Sequence, residues 1–208
     1  MNRSYRTLRE PVSHEPDKVK GSRHIATAAP IGSEKDVARL IETAQTEFPK
    51  ANHHAYAWRL GIDASRFRYS DDGEPSGSAG KPILQQIDRL SLTRVAVVVS
   101  RIFGGTKLGV GGLVRAYGGA AAAALERARV VEQVLMATVS ITHEYGDSGA
   151  IQAVLHKANL TPHSTDYGER SVLVVDVAVD LTEAFVSALV EATAGRAITH
   201  ISWPDMEG

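Results

Sequence analysis

The chain has 208 residues, 43% of them apolar, a net charge of −1 and no cysteine. That length holds one large domain or two small ones with a full core, and the missing cysteines exclude disulfides and thiolate chemistry. No run nears the ~20 apolar residues of a membrane helix, and Arg3, Arg6, Arg9 and Glu10 break up any apolar signal region, so a cytoplasmic protein with no membrane partner is expected.

Residues 1–17 are polar, carry Pro11 and Pro16, and read as a loose arm or an edge strand. Lys18 to Ala29 alternates enough for a first strand. Ser33, with Asp36 three residues on, is a helix start. Val37, Leu40, Ile41 and Ala44 then recur at helical spacing to about Glu47, and Pro49 ends the segment. His54 to Ile62 and Phe67 to Ser70 read as strands. Ile83, Leu84 and Ile87 predict a short amphipathic helix over Pro82 to Leu90. Val95 to Val99 is wholly apolar and mostly β-branched, the profile of a central strand covered on both faces. Leu113 to about Arg129 is a helix with alanines at 120–124.

Near residue 131 the composition shifts. Gln133 to Glu144 alternates as a strand, and Gly149 to Ala158 is a helix. Thr161 to Tyr167 and Ser171 to Val179 form a hairpin about Gly168-Glu169. Thr182 caps a helix that Gly195 ends, and Ala197 to Trp203 is the last strand. Strand, helix, strand, strand, helix, strand is the ferredoxin-like order. The class is α+β with two domains, 1–130 and 131–208. Charge divides with them: 20 Lys/Arg against 13 Asp/Glu in the first, 3 against 11 in the second. An anionic partner for the first domain, or attraction between the two, would each account for this split.

Two glycine-rich stretches stand out, Asp71 to Pro82 and Arg101 to Leu113. Neither is a standard phosphate motif. Pro75 and Pro82 occupy the wrong places for a phosphate loop, and Val114 stands where a dinucleotide fingerprint needs its last glycine. His143-Glu144 opens a zinc-protease pattern, but Asp147 replaces the second histidine. The second stretch follows a strand and opens a helix, so Gly104, Gly105, Gly109, Gly111 and Gly112 put free backbone N–H groups at a helix N-terminus, which attracts anions. Lys81, Arg101, Lys107 and Arg115 are the cations that would join them on a phosphate backbone; a solvated basic face is the alternative. Phe103 and Tyr117 are the few nearby aromatics, which argues for backbone contact rather than base stacking. Asp71, Asp72 and Glu74, with His53 close by, offer ligands for a divalent cation; the carboxylates equally suit capping turns or pairing with Arg66, Arg68 or Arg101.

Asp72-Gly73-Glu74-Pro75 with Gly80-Lys81-Pro82, then Phe103-Gly104-Gly105 with Gly109-Val110-Gly111-Gly112-Leu113, resembles the YigZ/IMPACT family, over about residues 18–205. The resemblance implies a first domain like the second domain of ribosomal protein S5. It implies a second domain like the ferredoxin-type domains of translocating elongation factors. It also implies a link to translational control, known for the family's eukaryotic members. Where the family usually reads His-Asn-Cys, this chain has His53-His54-Ala55, so no thiol-based role carries over. The expected function is non-catalytic binding of RNA or a ribosomal component, without a cofactor. Two alternatives stand beside it: a metal-dependent enzyme acting on a phosphorylated or nucleotide substrate, and a regulatory module that binds a protein partner.

Overall fold

The computed structural model describes residues 4–204; the outermost parts of the expected arm and second domain, 1–3 and 205–208, lie outside the described residues. Two compact units divide between Gln133 and Val134. The α+β class and the two-domain organisation both hold.

In the first unit, β6 (Val95–Ile102) is the centre of an antiparallel five-stranded sheet. Its neighbours are β3 (Arg23–Pro30) and β4 (His53–Leu60), and the edges are β2 (Val12–His14) and β5 (Arg66–Ser70). Every β6 residue but Ile102 is buried, as its unbroken apolar run requires. Val95, Val97 and Val99 pack beneath α2 (Gly80–Arg89) and α3 (Val110–Leu125). Ala96 lies on the opposite face with Trp58 and Leu60, under α1 (Glu34–Glu47). The alanines of α3 let it sit close: Ala120, Ala121 and Ala124 are fully buried. A separate two-stranded sheet joins β1 (Ser4–Leu8) to β7 (Val130–Val134).

The second unit contains β8 (Met136–His143), α4 (Ser148–Lys157), β9 (Ser164–Tyr167), β10 (Ser171–Ala178), α5 (Thr182–Ala192) and β11 (Ile198–Ser202). The sheet order is β11-β8-β10-β9, antiparallel throughout, the split βαβ arrangement of ferredoxin-like folds. Val139, Ile141, Val175, Ile151 and Leu189 fill its core.

Four local expectations are corrected. The first strand begins at Arg23, because Val19 and Ser22 close a tight turn with Lys20 and Gly21 at φ 47° and 83°. The single strand expected over Gln133 to Glu144 is two strands, β7 and β8, which belong to different sheets. Helix α2 starts two residues before Pro82, since Asp71 satisfies the backbone N–H groups ahead of it. Thr182 is the first residue of α5 rather than its cap, and its hydroxyl donates back to the Ala178 carbonyl.

Candidate functional site

At one end of the five-stranded sheet, the C-terminus of β6, the N-terminus of β4 and the loop after β5 meet the N-terminus of α3. Between them lies a cleft of about 480 Å³ lined by Asn52, His53, Glu74, Arg101, Lys107 and Gly109, among others. The two glycine-rich stretches thus border one cavity. Gly109 takes the helix N-cap position at φ 72° with no side-chain cap, so the first N–H groups of α3 depend on other partners. Lys107 is exposed at the same rim, and Phe103 is 44% exposed.

The floor of the cleft is a buried polar node. Arg101 donates to Glu74 Oε1 at 2.6 Å, and the Tyr117 hydroxyl of α3 donates to the same oxygen at 2.8 Å. Burial, then the bond to Glu74, keeps the Tyr117 phenol protonated well above its ordinary range. His53 Nε2 lies 3.9 Å from Glu74 Oε1. Behind Tyr117, His24 packs edge-on against its ring with centroids 5.2 Å apart. His24 is only 2% exposed and neither ring nitrogen has a hydrogen-bond partner. Burial, helped by the Arg101 charge and opposed by Glu74, lowers its pKa to about 4.

The acidic trio does not converge. Asp71 accepts from the N–H groups of Gly77, Ala79 and Gly80 at 2.8–2.9 Å. Asp72 accepts from His54 N–H, while its carbonyl pairs with His53 Nδ1 at 2.7 Å. Glu74 holds Arg101 and Tyr117. Among the described residues no group of three or more His, Asp or Glu is arranged to hold a metal. Each carboxylate instead takes a capping or pairing role.

The expected cations also separate. Arg101 lines the cleft but is neutralised by Glu74, with its side chain 8% exposed. Lys81 is exposed on α2, outside the cleft lining. Arg115 faces another groove, with Pro82, Gln86 and Gly118. Of the glycines, Gly104 serves backbone packing: a Cβ there would lie 1.9 Å from the carbonyl carbon of Gly21. Its N–H donates to Ser22 Oγ at 3.1 Å. Gly105, Gly109 and Gly111 are exposed and Gly112 half-buried along the rim. Sequence reasoning missed His24, Gly21 and Ser22. A glycine within the supposed first strand was the available signal for the last two.

Two domain families match in tandem: the Impact N-terminal domain over residues 20–125, and a domain of unknown function, DUF1949, over residues 141–196. An IMPACT family member of Thermus thermophilus, named for its position in the pol 5′ region, is 42% identical over 142 residues, 68% of this chain and 76% of that protein. The IMPACT family member YigZ of Escherichia coli is 32% identical over 181 residues, 86% of this chain and 89% of that one. A crystal structure described as that of a hypothetical protein superposes with a TM-score of 0.72 at 30% identity and full coverage of both chains. With both domains matched in order and relatives aligned along most of its length, the chain belongs to the IMPACT family.

Proposed function

We propose that this protein is a non-catalytic binding protein that grips the phosphate backbone of RNA, free or within a ribosomal component, in a role tied to translation in the cytoplasm. The observation that carries this reading is the side-chain-uncapped N-terminus of α3, which opens onto a cleft with exposed Lys107 at its rim. Positive helix-end dipole, free N–H groups and an ammonium favour a phosphate oxygen there. The non-catalytic part rests on the carboxylates. Asp71, Asp72 and Glu74 are each engaged by backbone, arginine or phenol donors, which leaves none of them poised as a general base.

The test is fluorescence anisotropy of labelled RNA across a salt series. Wild type should bind more weakly as salt rises, and Lys107→Ala should reduce the slope by about one counterion. Absence of binding at low salt, about 50 mM, overturns the RNA reading and turns attention to a protein partner.

A further inference from the structure

Edge strand β5 reads Arg66-Phe67-Arg68-Tyr69, cations alternating with aromatics. Its register sets Tyr69 opposite Ala57 and Phe67 opposite Arg59. Ala57 lies in the core under α2 and α3, so both rings project from that helix-bearing face. Phe67 is nevertheless 51% exposed and Tyr69 41%. Two large rings left open side by side serve no core and mark a contact surface. The Arg59 guanidinium lies 4.9 Å from the Phe67 ring centroid. It is itself fixed by Asp88 and by the Ala64 carbonyl at 2.6 Å. The Phe67 ring is therefore oriented before any partner arrives. Arg68 is exposed and makes no ion pair among the described residues.

We infer that β5 is a stacking platform for two neighbouring bases of single-stranded RNA. Residues i and i+2 of a strand stand about 6.7 Å apart on one face, which seats one unpaired base per ring, as on the sheets of RNA-binding modules. Arg68, opposite Trp58 in the register, projects from the other face of the sheet and takes no part in the platform. Phe67 lies about 13 Å along the chain from Asp71, and the loop that Asp71 opens carries Glu74 and Pro75 to the cleft. One RNA strand thus reaches both surfaces. The inference rests on the RNA reading above and assigns base contact to a place the glycine rim does not supply.

The experiment compares a labelled oligouridine with duplex RNA of equal length, by anisotropy. Phe67→Leu/Tyr69→Leu keeps apolar bulk and removes the π faces. It should weaken oligouridine binding about tenfold or more, leave the salt slope as in wild type, and leave duplex binding unchanged, because paired bases cannot stack on the rings. Photo-crosslinking of wild type to oligouridine, read by mass spectrometry, avoids substitution altogether and should place adducts on Phe67 or Tyr69. Unchanged oligouridine affinity in the double-leucine variant, or adducts found only elsewhere, overturns the platform. If Lys107→Ala still weakens binding in that case, the cleft reading survives alone. No RNA binding by wild type overturns both.

Discussion

Glu74 and Arg101 form an ion pair at 2.6 Å with side chains only 5% and 8% exposed. Tyr117 donates to the same carboxylate oxygen, so one oxygen ties the loop after β5 to the end of β6 and the middle of α3. That node holds the two glycine loops as the walls of one cleft.

Removing one partner strands the other. Glu74→Ala leaves a buried guanidinium uncompensated and should lower stability by about 3–5 kcal/mol. Glu74→Leu/Arg101→Met removes both charges together and should cost clearly less. Urea denaturation of the two variants checks this; equal losses would show that the pair is not the source of the effect.

Gly104 and Gly105 are neighbours with opposite problems. At Gly104 a methyl group would strike Gly21 backbone at 1.9 Å, whereas at Gly105 nothing lies within 4 Å but φ is +88°. Gly105→Ala should cost about 1–2 kcal/mol of backbone strain. Gly104→Ala must displace backbone against backbone and should cost more; if the rim grips RNA as proposed above, RNA affinity should fall with it. Paired denaturation curves and anisotropy on the two variants separate these effects.

Elements whose periodicity is set by their own burial were legible from sequence. Val95 to Val99 reads as a covered central strand because both of its faces are packed. Ser33 with Asp36 reads as a cap because the bond is local. The site was legible only as two loops rich in glycine. What the charged residues do there depends on contacts far apart in sequence. Arg101 meets Glu74 across 27 positions and Tyr117 meets it across 43, so a cation expected for the ligand is spent on the fold. The Gln133 to Glu144 run misled for a related reason. Strand periodicity continues through Leu135, while hydrogen-bond partners change there from β1 to β10 and β11.

Asp71 links the acidic loop to the start of α2. Burial pushes its carboxyl up, but the three N–H donations outweigh that and hold it below its ordinary 3.8. A carboxyl depressed in the folded state stabilises above its unfolded pKa, and the contribution fades as pH falls through the folded value. Asp71→Asn should therefore be less stable at pH 7 by about 1–2 kcal/mol, the worth of a helix cap. The deficit should shrink below pH 4. Melting temperatures of both proteins from neutral to strongly acid pH test the sign; a constant deficit would refute it.

His24 gives the opposite kind of variant. Its buried ring gains no hydrogen bond at either nitrogen, so an apolar ring of similar shape forfeits nothing and removes a desolvation cost. His24→Phe should be as stable as wild type at pH 7 or more so. Acid then separates them. The folded imidazole titrates at about 4 against 6.5 when free, so between these values the unfolded chain binds the extra proton and wild-type stability falls as pH falls. Across that window wild type should lose about 3 kcal/mol that the phenylalanine variant keeps. Other histidines titrate alike in both proteins and cancel in the difference. Urea denaturation at pH 7 and near pH 4.5 measures it directly. A difference that does not grow toward acid would mean that His24 becomes protonated in the folded protein, with the chain opening around it.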